Sequence, residues 1–327
     1  MSRLFLSSSR RQFLAGVSGV AAAGVLGRPY DTALAAAPML GVSRPSIYRF
    51  KLGGFEVTQI LDGFVHNNGP HPIFGNNQTR EVVHEYAKAN RLPATMYENP
   101  YTNTVVNTGK EVVLFDTGNG PGRMPTGGNL VPLLNSAGIK PEQIDIVVIT
   151  HGHPDHIGGL GAAEKPTFPN ARYVFGEVEF DHWRKGEGVP EARKANREMF
   201  MKVAVPFGDK ATFLKQEGEV VSGIRAVETF GHSPGHMAYH IESDGRRLLL
   251  WADVTNHYVM SLQQPEWHVS FDHDKDMGVA TRKRVLDMVS ADQIPAVGYH
   301  MPFPAVGYVE KAGGSFRWVP ASYQMNL

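Results

Sequence analysis

The chain has 327 residues, of which 42% are hydrophobic and 20% charged, with a formal net charge of zero and no cysteine. This composition excludes a disordered chain and any disulfide or thiolate-metal scaffold, and the absence of net positive charge argues against a nucleic-acid-binding surface. The length allows one large domain or two small ones.

Residues 1–35 have the pattern of an export signal. "SRRQFL" (9–14) resembles the twin-arginine motif, a Gly- and Ala-rich apolar stretch follows over 15–26, and "ALA" (33–35) matches the pattern of a signal peptidase site. The apolar stretch is too short for a comfortable membrane span. We therefore expect delivery to the periplasm, or secretion, by the twin-arginine (Tat) machinery without stable membrane insertion; an ordinary N-terminal tail is the alternative. The expected segments are a signal peptide over 1–35, a linker over 36–47 and a domain over 48–327.

Past residue 45 the sequence alternates short apolar strands, turns and a few helices. Two strand pairs are predicted, over residues 48–61 and 101–115. Further strands are predicted over 145–149, 225–229, 237–241, 246–251 and 295–299, and helices over 130–136, 191–202 and 276–290. Strands followed by a helix recur in the two halves of this region. That order predicts an α/β fold with two sheets packed face to face and helices outside, a four-layer αββα sandwich.

Ligand-type side chains are crowded in "THGHPDHIGG" (150–159), directly after a predicted strand. Other candidates follow other predicted strands: His232 in "TFGHSPGH", Asp253 in "LLLWADV" and His300 in "AVGYHMPFP". Each of these alone could be a capped turn or a helix cap. Because all four features stand at strand exits, where functional residues collect, the sequence predicts a metal site. Without cysteine, its ligands must be nitrogen and oxygen atoms.

The spacing within 150–159 fits two neighbouring ions. His151 and His153, two residues apart on an extended loop, can point toward one ion, and Asp155 and His156 can then face the next. Two divalent ions about 3.5–4 Å apart can hold a bridging hydroxide and neutralise the oxyanion formed when it attacks a carbonyl or phosphoryl centre. We therefore expect a dinuclear hydrolytic centre that uses zinc or, with the same ligands, manganese, cobalt or iron.

Together these motifs resemble the metallo-β-lactamase-fold hydrolases over roughly residues 48–310. Within that family the chain looks most similar to the dinuclear enzymes of the methyl parathion hydrolase and acyl-homoserine lactonase groups. The resemblance implies a first metal held by His151, His153 and His232, a second held by Asp155, His156 and His300, and Asp253 as the bridging carboxylate. It makes Asp155 and Asp253 the candidate catalytic residues, and it implies that Asp116 in "VVLFDTG" supports the site from behind.

Aromatic residues are the candidates for the substrate pocket. The resemblance places pocket walls at Phe180, Trp183 and Phe200, and His257 is a further candidate because it follows Asp253 by four residues. Additional candidates are Tyr258, Met260, Trp267 and Phe303. An aromatic pocket favours an apolar ester, lactone or aryl phosphotriester, so the expected function is a metal-dependent hydrolase of small molecules.

Three alternatives stay open at this stage: a β-lactamase-like amide hydrolase, a non-hydrolytic iron-type redox protein on the same fold, and a non-catalytic exported binding protein. Asp253 argues against the cysteine-free β-lactamase branch, which generally lacks a bridging carboxylate, and the full set of seven ligand candidates argues against a mononuclear iron site. The sequence leaves open whether the chain forms a homodimer.

Overall fold

The computed structural model describes residues 39–322, so the predicted signal peptide over 1–35 lies outside the described residues. The chain divides between Ser43 and Arg44 into two units, and the description below concerns the second unit. In the described part of the chain, no helix combines the length and the apolar character that a membrane crossing requires.

The first sheet has seven strands, antiparallel at one side and parallel at the other. In spatial order they are β1 (Ile47–Leu52), β2 (Phe55–Asn67), β3 (Tyr97–Asn107), β4 (Val112–Phe115), β5 (Ile146–Ile149), β8 (Arg172–Gly176) and β9 (Thr212–Leu214). Strands β1 to β4 pair antiparallel, and β4, β5, β8 and β9 pair parallel. The short strands β6 (Gly161–Ala162) and β7 (Lys165–Pro166) form a separate ribbon.

The second sheet also has seven strands, which follow one another in chain order. They are β10 (Glu219–Val221), β11 (Ile224–Glu228), β12 (Met237–Ser243), β13 (Arg246–Ala252), β14 (Ala296–Gly298), β15 (Val306–Ala312) and β16 (Ser315–Pro320). Only the β13–β14 pair is parallel, because an α-helix connects these two strands; the other neighbours are antiparallel.

Six α-helices cover the sheets in the described residues. They are α1 (Arg80–Ala89), α2 (Leu130–Ser136), α3 (Pro154–Ile157), α4 (Glu177–Lys185), α5 (Lys194–Val203) and α6 (Lys275–Asp292). The helix predicted over 191–202 is a 3₁₀ turn, Glu191–Arg193, that leads into α5, and the helix predicted over 276–290 is α6.

Three buried clusters show how the layers stack. One cluster lies between the sheets and includes Leu52 and Val57 from the first sheet with Tyr239 and Leu250 from the second. A second cluster packs α2, α4 and α5 on the outer face of the first sheet, and a third packs α6 on the outer face of the second. Each sheet is therefore apolar on both faces and is covered on both, which confirms the predicted αββα sandwich.

The topology brings several strand ends to one edge. Strands β13 and β14 are parallel neighbours, so the residues just after them, Asp253 and His300, leave the sheet at the same end. Ala252 has a φ of 48°, and this left-handed conformation turns the chain sharply at Asp253. In the first sheet, the loop after β5 carries residues 150–153. The predicted ligand loops therefore emerge where side chains from both sheets can meet.

Candidate metal centre and its cavity

The loop after β5 presents its polar side chains in two directions. Residues 150–153 are irregular, and Pro154 then begins α3, a single helical turn that carries Asp155 and His156. Proline suits this first helical position because its fixed φ fits the helix. A backbone N–H at this position would have no partner within the helix, so its absence costs no helical hydrogen bond. His153, just before the turn, is extended with ψ 150°, so the two halves of the motif face different positions.

The first group of ligand atoms consists of His151, His153, His232 and Asp253, all buried and mutually close. Nδ1 of His153 lies 2.9 Å from Nε2 of His151 and 3.0 Å from Nε2 of His232. Oδ2 of Asp253 lies 3.2 Å from Nε2 of His232 and 3.9 Å from Nε2 of His151. Four ligands at zinc–nitrogen distances on a tetrahedron are about 3.3 Å apart, so these four atoms fit one zinc-sized ion.

The second group consists of Asp155, His156 and His300. Oδ2 of Asp155 lies 3.6 Å from Nε2 of His156 and 3.5 Å from Nε2 of His300. Asp253 also faces this group, with Oδ1 3.4 Å from Nε2 of His156 and Oδ2 3.0 Å from Nε2 of His300. Its carboxylate therefore stands between the two groups, in the position of a bridging ligand.

Two atoms of the site point to a missing partner. Nε2 of His156 and Oδ1 of Asp253 are buried and make no hydrogen bond. Buried polar atoms in folded proteins are nearly always hydrogen-bonded, and a metal ion is one of the few partners that explains an exception. The geometry and the nitrogen and oxygen donor set therefore fit two divalent ions of the zinc type.

The protonation states of three candidate ligands, His151, His153 and Asp253, suit metal binding. Burial and the neighbouring imidazoles lower the pKa of His151 and of His153 well below the ordinary value, so both rings are neutral ligands. Although burial opposes its ionised form, His300, His156 and His232 hold the pKa of Asp253 well below its usual range. Asp253 is therefore a carboxylate surrounded by imidazoles.

Asp116 lies behind the candidate site, at the position that the family resemblance implies. Its Oδ1 accepts a hydrogen bond from Thr150 N at 2.8 Å, and its Oδ2 accepts one from Thr150 Oγ1 at 2.9 Å. Oδ2 also lies 2.7 Å from Nδ1 of His156, which leaves Nε2 of that ring free to face the metal position. This arrangement, in which a carboxylate holds the far nitrogen of a ligand histidine, fixes the tautomer and orientation of the ring.

A buried ion pair holds His232, and the sequence did not reveal it. Oδ1 of Asp272 lies 3.0 Å from Nδ1 of His232, and Oδ2 accepts a hydrogen bond from Arg282 Nη2 at 2.6 Å. Arg282, on α6, also donates to the carbonyl oxygens of Val254, Pro265 and Trp267. One side chain therefore links the loop after Asp253 to the carboxylate behind His232.

Glu179, a second residue that the sequence did not reveal, ties two ligand loops together. Its Oε1 accepts hydrogen bonds from Gly152 N and Trp183 Nε1, each at 2.7 Å. Its Oε2 accepts hydrogen bonds from Ser233 Oγ and Gly235 N, each at 2.8 Å. The carboxylate thereby fixes the loop that carries His151 and His153 against the loop that carries His232.

His236 and His240 follow His232 in the chain and lie outside both groups of candidate ligands. Nε2 of His236 accepts a hydrogen bond from Asp253 N at 3.2 Å, and its Nδ1 lies 2.8 Å from Thr229 Oγ1. It is thus a buried hydrogen-bonding residue that helps to place Asp253, whereas His240 is half-buried on β12.

A cavity of about 470 Å³ adjoins the second ligand group. Its wall is largely apolar or aromatic, and its buried part includes the candidate ligand His300. Other lining residues are Leu92, Pro93, Met96, Tyr97, His257, Tyr258 and Met260, with Arg44, His66 and Glu98 at the more exposed side. Glu98 accepts a hydrogen bond from Arg44 and lies 2.9 Å from Nε2 of His66, so the charges on this side are paired.

The expected aromatic wall is corrected by this geometry. His257, Tyr258 and Met260 line the cavity, but Phe180, Trp183 and Phe200 are buried in the core between the helices and the first sheet. Phe180 and Trp183 are three residues apart and occupy the inner face of α4. Trp183 instead packs behind the metal loop: a Cβ at Gly152 would lie 2.6 Å from its ring.

The remaining two aromatic candidates also lie outside the cavity wall. Trp267 is buried in a core cluster together with Phe74 and Val83. Pro302 lines the cavity, whereas its neighbour Phe303 does not.

Comparison with known proteins decides the family. A model described as the metallo-beta-lactamase superfamily matches residues 97–280, more than half of the chain and every ligand candidate except His300. The chain belongs to this superfamily.

Relatives within the metallo-β-lactamase superfamily include several lactonases. An N-acyl homoserine lactonase of Bacillus cereus is 24% identical over 164 residues, and one of Bacillus thuringiensis subsp. kurstaki (AiiA) is 23% identical over 164 residues. Each match covers 50% of this chain and 58% of the relative, so the chain aligns with little more than half the length of these enzymes.

Solved structures resemble the chain over a longer region. AidC, described as a dizinc quorum-quenching lactonase in complex with a product, superimposes with a TM-score of 0.80 at 25% identity, covering 86% of this chain and 99% of AidC. The hydrolase AbOPH superimposes with a TM-score of 0.79 at 24% identity, covering 87% of this chain and 100% of AbOPH. The second likeness shows the shared fold alone.

Proposed function

We propose that this chain is a dinuclear metal-dependent hydrolase that opens lactones, or cleaves esters, that carry an apolar substituent. The proposal rests on two groups of candidate ligands, with Asp253 belonging to the first and also facing the second, and on the apolar cavity that borders them at His300. The lactonase relatives and the product-bound dizinc structure support a cyclic ester as the substrate.

Seven residues would hold the two ions. His151, His153 and His232 would hold one ion, Asp155, His156 and His300 the other, and Asp253 both. When bound, two divalent ions make water a nucleophile at neutral pH and polarise the scissile carbonyl.

Asp155 is placed to handle the proton of the reaction. Its side chain is 18% exposed, whereas that of Asp253 is 3% exposed, so Asp155 is the carboxylate that a substrate can approach. In ring opening, water adds to the carbonyl carbon, the ring C–O bond breaks and the departing oxygen needs a proton. We assign the transfer of that proton, from the attacking water to the leaving oxygen, to the Asp155 carboxylate. Tyr299 Oη donates a hydrogen bond to the Asp155 carbonyl oxygen at 2.7 Å and so fixes the backbone of that residue.

The cavity favours an uncharged substrate. A space of about 470 Å³ is within the range that takes a small organic molecule, and an apolar wall stabilises an alkyl or aryl substituent. Aryl phosphotriesters are neutral and apolar as well, and they form the second candidate class for the same cavity.

A hydrolysis panel on zinc-reconstituted protein tests the proposal. The panel contains an N-acyl homoserine lactone, an aryl ester, a β-lactam and an aryl phosphotriester. We expect the lactone to have the highest kcat/KM and Asp253→Ala to reduce its turnover by at least ~10²-fold. Asp287→Ala, which removes a surface carboxylate paired with Lys311, is the matched control. Preferential turnover of the β-lactam, or no hydrolysis of any substrate, would contradict the proposal.

A further inference from the structure

The loop after Asp253 is held by hydrogen bonds and carries a histidine, His257, that lies outside both groups of candidate metal ligands. Asn256 Nδ2 donates a hydrogen bond to Asp253 Oδ2 at 3.0 Å, and Ser261 Oγ accepts hydrogen bonds from the backbone N of Asn256 and of His257. This places His257 at a fixed position one residue beyond a contact to the bridging carboxylate.

The tautomer of His257 follows from its hydrogen bonds. Val259 N donates to Nδ1 at 3.0 Å, and Met260 N donates to the same atom at 3.2 Å. A ring nitrogen that accepts hydrogen bonds carries no proton, so the proton of the neutral ring is on Nε2. Burial lowers the pKa of His257 to about 3, which keeps the ring neutral throughout the physiological pH range. His257 is therefore a permanent Nε2–H donor.

The surroundings of the ring show where this donor is available. The ring packs against Phe74, Tyr97 and Tyr258, with centroid distances of 5.5, 5.4 and 4.8 Å. None of these residues offers a hydrogen-bond acceptor to Nε2 within residues 39–322. His257 is 8% exposed and lines the cavity, as does His300. Because Nδ1 already accepts two backbone hydrogen bonds, Nε2 is the ring nitrogen left for a substrate in the cavity.

The position of His257 indicates which part of a substrate it meets. Two of its aromatic neighbours, Tyr97 and Tyr258, belong to the cavity wall, whereas the candidate ligand rings contact one another. The scissile ester must lie at the metal groups, so the wall contacts the substituent. A largely buried donor without a partner also disfavours a ligand that lacks an acceptor, because the donor would lose water and gain no hydrogen bond.

We propose that His257 is a specificity-determining residue whose Nε2–H donates to a carbonyl oxygen on the substituent of the substrate, such as the amide oxygen of an acylamino lactone. The inference rests on the proposed function. It adds that the cavity prefers a lactone with a hydrogen-bond acceptor near the ring over an equally long alkyl lactone.

Two substitutions of His257 distinguish the role of its Nδ1 acceptor from that of its Nε2–H donor. In His257→Asn, the side-chain oxygen can take the place of Nδ1 and accept from Val259 N and Met260 N, while the donor at the Nε2 position is lost. In His257→Gln, the longer side chain places an N–H near the position of Nε2. The substrates are N-hexanoyl homoserine lactone and α-heptyl-γ-butyrolactone, whose chain has matching length but no carbonyl. The quantity compared is the ratio of their kcat/KM values.

We expect the ratio to favour the acylamino lactone in the wild type, to fall ~10-fold in His257→Asn, and to stay within ~3-fold of the wild type in His257→Gln. His240→Asn, a half-buried histidine on β12, is the matched control and should leave the ratio unchanged. An unchanged ratio in His257→Asn, with wild-type metal content, would overturn the assignment, and so would an equal loss for both lactones. If the wild type hydrolyses neither lactone, the proposed function fails, and this inference fails with it.

Discussion

Replacing Arg282 with methionine should lower the stability of the protein and weaken its first metal position. The side chain is fully buried, and its guanidinium donates to Asp272 and to three backbone carbonyl oxygens. Methionine has a similar length and keeps the apolar contacts, so the substitution mainly removes the charge and the donors.

The size of the stability loss depends on the state of Asp272 once Arg282 is removed. Asp272 is only 2% exposed, so without Arg282 it becomes a buried carboxylate with one imidazole, His232, as its remaining side-chain partner. Breaking a buried ion pair in this way costs about 3–5 kcal/mol. At about 2.1 cal/mol/K per residue, a domain of roughly 290 residues unfolds with an entropy of about 0.6 kcal/mol/K, so each kcal/mol corresponds to about 1.6 °C and Tm should fall by about 5–8 °C. Because Asp272 orients His232, metal affinity at that position should also fall by about 10- to 100-fold.

A denaturant titration of metal-free protein measures the first effect, and zinc titration with a chromogenic competitor measures the second. Arg282→Met combined with Asp272→Asn should recover at least about 1 kcal/mol, because the stranded charge is gone. Arg247→Met is the matched surface control, with an ion pair to Asp292 that is largely exposed, and should change stability by no more than about 0.5 kcal/mol. A loss below about 1 kcal/mol in Arg282→Met, or no recovery in the double variant, would refute the reasoning.

Three further predictions concern the bridging ligand, the metal loop and export. Asp253→Ala should reduce kcat by at least ~10²-fold and lower metal content without unfolding the protein; near-normal kcat and metal content would rule out the bridging role. Gly152→Ala should destabilise the fold by about 1–3 kcal/mol in thermal unfolding, because the new Cβ would lie 2.6 Å from the ring of Trp183; an unchanged Tm would contradict the close packing. Replacing Arg10 and Arg11 with lysine keeps the charge but removes the guanidinium fork, so uncleaved and active protein should accumulate in the cytoplasm; normal periplasmic delivery would exclude the twin-arginine signal.

The ligand candidates were accessible from the sequence because their spacing is local. His151, His153 and His156 are packed into six residues, and Asp253 and His300 stand directly after apolar strands, so residue type and strand position together point to the site. The strand-then-helix order in both halves likewise predicts the layered fold.

The residues behind the ligands could not be predicted in the same way. Asp272 and Arg282 meet only because α6 packs on the second sheet, and an arginine within a helix normally indicates a solvent-exposed face. Arg282 does sit three and four residues before the buried Val285 and Leu286, and this spacing is a signal that it lies on the inner face.

Only part of the cavity wall was predicted from the sequence. Phe180 and Trp183 were expected on the wall because of a family resemblance, but their spacing of three residues on α4 is that of core residues. The wall instead draws on Met96 and Tyr97, from a segment far from the ligands in sequence, together with the loop after Asp253. Only the three-dimensional arrangement brings these segments together.

Metal stoichiometry is the most direct test of whether the seven side chains form a centre for two metal ions. Purified mature protein is stripped with a chelator, reconstituted with excess zinc or manganese, freed of unbound metal and measured by elemental analysis. We expect about two ions per chain in the wild type, because there are two groups of candidate ligands and Asp253 faces both. One ion per chain, or none, would contradict it.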